Sequence, residues 1–161
     1  MLIFAVRLIV EKDGRLLFLH QTKQNGGGFS LVGGNVEERE FAREALSREA
    51  KEEAGISIDP ADLVLVHVLH RHKLKKNEQS LVLYFKAHHF EGEPESLERK
   101  KFRDVVWLPI ASLPDNISKA TRHVLASMSS GEIYSEFPSR KKVLTFWEQS
   151  PESWSARLPD Y

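Results

Sequence analysis

The sequence of 161 residues has no cysteine, no excess of either charge and no long hydrophobic run. Without cysteine, the chain has no disulfide framework, no thiolate metal site and no cysteine nucleophile. Its 23 basic and 23 acidic side chains balance, so no overall positive field attracts a nucleic-acid polymer or a membrane surface. No stretch reaches the roughly 18 apolar residues that a transmembrane helix requires. Chemistry must therefore come from carboxylates, histidines or hydroxyls, and a small-molecule ligand is expected.

The length of the chain suits one compact domain. A globular chain of this size buries roughly 68–70% of its unfolded surface, so it folds without disulfides or a structural metal. The apolar residues 1–6 meet Arg7 too early for the core of a signal peptide. We therefore expect an unprocessed, cytoplasmic protein, and both a monomer and a homodimer remain open.

Hydrophobic patterning predicts alternating strands and helices. Residues 2–11 and 15–20 flank a Lys-Asp-Gly turn, which favours a hairpin. A helix is expected from about Glu37 or Glu40 to Ala54, with Gly55 as its left-handed end. Further strands are predicted at residues 63–70, 80–87 and 104–108.

A second helix is predicted after Asp115 and Asn116, which can cap it, and before Gly131. Beyond this helix the sequence loses its periodicity. We therefore divide the chain into a domain of residues 1–131 and a C-terminal arm of residues 132–161, and we expect the arm to pack on the same domain.

The first predicted helix carries carboxylates where a buried stripe should continue. Ala45 and Leu46 belong to the apolar stripe, Glu49 extends it, and Glu52 and Glu53 follow at three and four residues from Glu49. Like charges at this spacing repel, and the negative end of the helix dipole disfavours them further. A hard divalent cation, Mg²⁺ or Mn²⁺, would relieve the repulsion. The alternative is an exposed helix face held by salt bridges.

A glycine-rich loop before this helix favours the cation site over the exposed face. Five of the nine glycines lie between Gly26 and Gly34. The pair Gly33 and Gly34 directly before the helix allows the backbone to approach a metal ion or a phosphate closely.

The run GNVEEREFAREALSREAKEEAGI, residues 34–56, resembles the Nudix box of the Nudix hydrolase family. The fixed positions of that box are matched by Gly34, Glu40, Arg48, Glu49, Glu52, Glu53 and Gly55, and its aliphatic positions by Ala50 and Ile56. So many matches at set spacing are far more specific than a lone glycine motif. The resemblance extends over roughly residues 1–131.

The resemblance implies an α/β/α sandwich around a mixed β-sheet. It also implies that water attacks a phosphorus atom of a diphosphate linked to another moiety. Glu49, Glu52 and Glu53 would coordinate Mg²⁺ or Mn²⁺ with the carbonyl oxygen of Gly33, and Arg48 would orient the acids. One of the glutamates would accept the proton of the water, and the sequence does not divide the base and ligand roles among them.

Residues outside the box are candidates for further roles. Glu98 lies in an acidic segment similar to the loop from which MutT-like members bring another carboxylate, and a solvated surface role is equally open. Lys23 and Arg71 are candidate phosphate contacts. Asn116 resembles the asparagine that MutT-like enzymes offer to a purine base, although capping of the second helix is the simpler interpretation.

The substrate class follows from what the resemblance lacks. The family's marker proline for ADP-ribose and marker tyrosine for dinucleoside polyphosphates do not occur around residues 70–75. We therefore expect a nucleoside triphosphate, unmodified or oxidised, to be cleaved to the monophosphate and pyrophosphate. The alternative is a silent Nudix domain that binds a nucleotide as a sensor or partner module, and the intact acidic residues argue against it.

Overall fold

The computed structural model describes residues 1–73 and 76–138. In these ranges the chain forms two helices and eight strands: β1 (Leu2–Ile9), β2 (Glu11–Lys12), β3 (Arg15–Gln21), β4 (Phe29–Ser30), α1 (Ala42–Ala54), β5 (Leu63–Lys73), β6 (Glu78–Ala87), β7 (Phe102–Pro109), α2 (Lys119–Ser129) and β8 (Tyr134–Phe137). Neither helix is long and apolar enough to cross a bilayer.

The strands form two four-stranded sheets. The first has the order β1-β6-β5-β8, in which β5 and β6 are antiparallel and the outer strands β1 and β8 run parallel to their neighbours. The second is antiparallel: β3 lies between β4 and β7, and β2 pairs with the start of β3. Backbone hydrogen bonds join β1 to the glycine-rich loop, from Val6 N–H to Gly34 O and from Leu8 N–H to Val32 O, both 2.9 Å. The first sheet is therefore tied directly to the loop.

Two apolar cores lie on opposite sides of the strands. Strand β1 contributes Val6 and Leu8 to the core under α1, and Ala5 and Ile9 to the core under α2. Strand β3 alternates in the same way. Strands with apolar residues at both parities are expected where helices cover both faces. The predicted α/β/α sandwich around a mixed sheet is confirmed.

The predicted first hairpin is only partly correct. Asp13 and Gly14 do turn the chain, but the turn joins β3 only to the two-residue strand β2. Strand β1 instead pairs in parallel with β6, with Arg7 opposite Tyr84. A turn signal reports only on the residues beside it, whereas the partner of β1 is set by side chains about 75 positions away.

Helix α1 begins later than expected. Arg39 has a positive φ of 69°, which interrupts a helix from Glu37, and Phe41 is extended, which excludes a helix that begins at Glu40. The Glu44 carboxylate accepts a hydrogen bond from Phe41 N–H at 2.7 Å, and the helix starts at the next residue. Its end is confirmed, because Gly55 adopts the left-handed conformation with φ 67°.

The cap predicted for the second helix is wrong. Ser118, rather than Asp115 or Asn116, is the N-cap of α2, and its hydroxyl accepts a hydrogen bond from Thr121 N–H at 3.1 Å. The Asn116 amide instead donates to Gly27 O at 3.3 Å. Asn116 is therefore attached to the glycine-rich loop.

The first part of the predicted C-terminal arm lies in the first sheet as β8. Buried His67 of β5 holds it, because its ring nitrogens contact Glu132 O at 2.9 Å and Ser135 Oγ at 2.7 Å. Residues 139–161 lie outside the described part of the chain.

Candidate active site

Both glycines of the pair Gly33 and Gly34 lie in close contact with neighbouring atoms. Gly33 has φ 144°, and a Cβ atom there would lie 2.1 Å from Val6 O. A Cβ atom on Gly34 would lie 2.0 Å from Glu49 Oε1. The close approach predicted from the sequence is therefore present, and it joins strand β1 to the acidic end of α1.

Glu53 is the buried acid of the site. Its exposed fraction is 6%, and Gly33 N–H donates to its Oε2 at 2.9 Å. Burial is the main cause that raises the pKa of Glu53 to about 7, and the charges of Glu49 and Glu98 add to this rise. The hydrogen bond from Gly33 N–H and the charge of Arg7 oppose it. The folded chain thus holds a carboxylate where its negative charge is poorly solvated.

Arg48 connects the other acids of the Nudix box. Its guanidinium donates to both Glu40 oxygens at 3.1 and 2.8 Å, to Glu49 Oε1 at 3.1 Å and to Glu52 Oε2 at 3.3 Å. The Arg48 hydrogen bond holds the pKa of Glu40 below its usual range. A planar guanidinium in these contacts fixes the direction of each carboxylate.

The expectation that three acids share one buried edge is wrong for Glu52. The Glu49 side chain is 15% exposed, whereas that of Glu52 is 51% exposed. Glu52 precedes Glu53 directly, and adjacent helical residues point about 100° apart. The buried edge therefore consists of Glu49 and Glu53.

Glu98 lies in the loop between β6 and β7, where its charge acts on Glu53, and its side chain is 31% exposed. Leu97 N–H donates to Glu53 O at 3.2 Å and holds this loop against the end of α1. Lys101 Nζ donates to Glu98 Oε1 at 3.1 Å and lies 2.9 Å from Oε2. In the described ranges, the buried Oε2 atom accepts no hydrogen bond.

The chemistry of these acids fits a hard divalent cation. Among residues 1–73 and 76–138, no group of three acidic, histidine or cysteine side chains converges as in a finished metal site, and Arg48 draws Glu49 and Glu52 to itself. Glu53 Oε2 accepts a hydrogen bond from Gly33 N–H, and the Glu98 carboxylate is paired with Lys101; carboxylate oxygens of this kind are ligands that Mg²⁺ accepts. Glu49, Glu53 and Glu98 could therefore hold the ion, with the exposed Glu52 beside them.

A cavity of about 560 Å³ lies against the first sheet, the glycine-rich loop and the start of α2. Arg71 and Asn116, both predicted from the sequence, line it. Lys23 lies on an exposed turn and is outside the set of lining residues. The volume is within the range of small-ligand sites.

The cavity residues that sequence reasoning missed include Arg7 and Tyr84. Arg7 is a charged residue inside an apolar strand, and this was the available signal. Tyr84 lies opposite it on β6, is buried, and carried no signal of its own.

Comparisons with known proteins agree with this geometry. A family model of the NUDIX domain matches residues 1–128. The CTP pyrophosphohydrolase of Escherichia coli (strain K12) is 28% identical over 108 residues, which are 66% of this chain and 75% of that protein. The family match thus covers the glycine-rich loop, the acidic helix and strands β1 to β7.

Solved structures are similar over most of the described chain. A MutT NUDIX hydrolase from Burkholderia pseudomallei has a TM-score of 0.71 at 27% identity, covering 78% of this chain and 97% of that one. The MutT protein of Methanosarcina mazei Go1 has a TM-score of 0.67 at 18% identity, and the match covers 81% of this chain and 94% of that one. At this identity the similarity supports the fold and no more. These findings confirm the predicted family and enzyme class. The chain belongs to the NUDIX domain family, as a MutT-like Nudix hydrolase of nucleoside diphosphate-linked substrates.

Proposed function

We propose that this Nudix hydrolase cleaves a nucleoside triphosphate, unmodified or oxidised, to the monophosphate and pyrophosphate with the help of Mg²⁺ or Mn²⁺. The observation that carries the proposal is that one glycine-rich loop contacts both the buried acid and the cavity. Gly33 N–H binds Glu53, and Gly27 O binds Asn116 at the cavity wall. A nucleoside in the cavity would thereby bring its phosphates toward the acids.

The reaction needs no covalent intermediate. The oxygen of water bonds to phosphorus, the anhydride bond between the α- and β-phosphates breaks, and its electron pair leaves on the departing oxygen. The proton of the attacking water passes to a carboxylate of the site. A bound Mg²⁺ would neutralise phosphate charge and lower the pKa of the attacking water.

The residues of the site divide the remaining work. Glu53, fixed by Gly33 N–H, would hold the cation with Glu49 and Glu98. Arg48 would keep the direction of Glu49 and Glu52, since it donates to both. The exposed carboxylate of Glu52 is open to solvent, as a group that exchanges protons during turnover requires.

The cavity supports a nucleotide as the substrate. The Asn116 amide N–H donates to Gly27 O, and the amide oxygen of the same side chain would accept a hydrogen bond from a base. Arg71 lines the same cavity and would contact a phosphate there. Lys23, on its exposed turn outside the cavity wall, would contact phosphates that extend out of the cavity. The name of the Escherichia coli relative, a CTP pyrophosphohydrolase, supports a nucleoside triphosphate.

A substrate panel with product identification tests the proposal. CTP, dGTP, 8-oxo-dGTP, ADP-ribose and a dinucleoside tetraphosphate are incubated with Mg²⁺, and products are read by phosphorus NMR. We expect one triphosphate to give monophosphate and pyrophosphate, and we expect the rate to fall about 10²-fold or more in Glu53→Gln. Glu38→Gln, which changes an exposed acid outside the site, is the matched control.

Two outcomes would contradict the proposal. Tight binding of a nucleotide without turnover would favour the sensor alternative. Turnover that is unchanged in Glu53→Gln or in the presence of a chelator would mean that the acids and the cation do not carry the chemistry.

A further inference from the structure

We propose that Arg7 binds the phosphate that joins the nucleoside to the cleaved anhydride. This inference rests on the proposed function of the site and adds to it a residue that positions the substrate. In this proposal the phosphate bound by Arg7 links the two halves of the site, which are the acids at the end of α1 and the cavity.

The position of Arg7 spans both halves. It lies on β1 opposite Tyr84 of β6, and both line the cavity with Arg71. On its other side, Gly33 packs against its backbone, because a Cβ atom on Gly33 would lie 3.0 Å from Arg7 Cα. Gly33 is also the residue that binds Glu53. Gly33 therefore contacts both the Glu53 carboxylate and the backbone of Arg7.

Arg7 and Arg71 both bring positive charge to the wall of the cavity beside Tyr84. Burial raises the pKa of Tyr84, and the charges of Arg7 and Arg71 oppose this rise.

The guanidinium of Arg7 also has donors to spare. In the ranges 1–73 and 76–138, neither Arg7 nor Arg71 forms an ion pair, and Arg7 makes one side-chain hydrogen bond, from Nη1 to Val6 O at 2.7 Å. Arg48, by contrast, is engaged by carboxylates on several sides. A guanidinium has five N–H donors and no acceptor, so a half-buried one is best satisfied by an anion with several oxygens.

Two arginines at one cavity point to a ligand with negative charge. Arg7 and Arg71 repel each other when the cavity holds only water. The carboxylate that lines the same cavity, Asp115, is exposed. A phosphate attached to a nucleoside would satisfy both guanidiniums.

The test compares ligands with and without the phosphate. Binding of CMP and of cytidine is measured by calorimetry in the presence of a chelator, so that no cation contributes. We expect wild type to bind CMP about tenfold more tightly than cytidine or better. Arg7→Gln should lose most of this ratio and keep its cytidine affinity, Arg7→Lys should restore part of it, and Arg103→Gln, an exposed arginine of β7, should behave as wild type.

Three results would overturn the inference. These are equal affinity of wild type for CMP and cytidine, an unchanged ratio in Arg7→Gln and Arg7→Lys, and an equal loss of both affinities, which a structural or base-contacting arginine would produce. Turnover of CTP by the wild type is measured separately. If turnover fails while the ratio depends on Arg7, the proposed function fails and the phosphate contact stands.

Discussion

Without metal, the buried carboxylate of Glu53 makes the stability of the chain depend on pH. Its pKa is about 7 in the folded state, against 4.5 for an unperturbed glutamate. Between these pH values the folded state binds more protons than the unfolded state, so the free energy of unfolding falls as the pH rises. Above the folded pKa the full penalty of the buried charge is present.

Replacing Glu53 by glutamine should stabilise the chain in the presence of a chelator. At about pH 8 the substitution should raise the free energy of unfolding by about 1–3 kcal/mol, because it removes a buried charge. At about pH 4, where Glu53 is protonated in both states, the gain should vanish. Denaturant unfolding at the two pH values measures the difference.

Glu52→Gln is the control for this prediction, since the Glu52 side chain is half exposed. A stabilisation of Glu53→Gln that is the same at both pH values would contradict the electrostatic explanation. So would an equal effect of Glu52→Gln.

At the residue scale, the acids could be predicted from the sequence and the cavity could not. The spacing of Glu49, Glu52 and Glu53 within one helix is local information. Arg7 and Tyr84 face each other only because β1 and β6 pair in parallel in one particular register. A shift of one residue would turn either side chain to the other face of the sheet.

At the scale of elements, the two residues of the glycine pair, Gly33 and Gly34, have different roles. Gly33 allows the backbone to pass β1, because its neighbour there is the carbonyl oxygen of Val6. Gly34 leaves room for the Glu49 carboxylate, which is the end of a side chain that can move. The two glycines should therefore respond differently to substitution by alanine.

Gly34→Ala should leave stability within about 1 kcal/mol of wild type, since a flexible side chain can yield. It should reduce turnover by about 10²-fold, because it displaces Glu49. Gly33→Ala should lower the free energy of unfolding by about 2 kcal/mol or more, because its Cβ atom meets backbone at a positive φ. Thermal unfolding and turnover are measured for both variants. An equal loss of stability in the two would contradict the separate roles of Gly33 and Gly34.

Strand β8 is held by a buried polar contact. Ser135→Ala removes the hydroxyl that contacts His67 at 2.7 Å and leaves a buried ring nitrogen without that partner. We expect a loss of about 1–3 kcal/mol in the free energy of unfolding. Ser129→Ala, at an exposed position of α2, serves as the comparison, and an equally small effect of both would show that the His67 contact contributes nothing.

Helix ends illustrate why element boundaries are hard to predict. At two places near the start of α1, a backbone N–H donates to the glutamate three residues later, from Glu37 N–H to Glu40 and from Phe41 N–H to Glu44. Only the second opens the helix, because Arg39 inside the first turn has a positive φ. The spacing of the glutamate is the same in both, and the backbone conformation that distinguishes them is not visible in that spacing.

At the scale of the whole molecule, the layered architecture could be predicted from the resemblance to the Nudix family, and the strand order could not. The apolar residues at both parities of β1 and β3 agree with helices on both faces. The parallel pairings of β1 with β6 and of β8 with β5 join residues more than 60 positions apart. Such contacts depend on the packing of the complete chain rather than on local preference.

The central claim is that acids of α1 and of the loop between β6 and β7 form a site for a divalent cation. Electron paramagnetic resonance of Mn²⁺ titrated into the protein measures this directly. We expect wild type and Glu38→Gln to bind the ion, and Glu53→Gln and Glu98→Gln to bind it at least about tenfold more weakly. Equal Mn²⁺ affinity in all four proteins would contradict the claim.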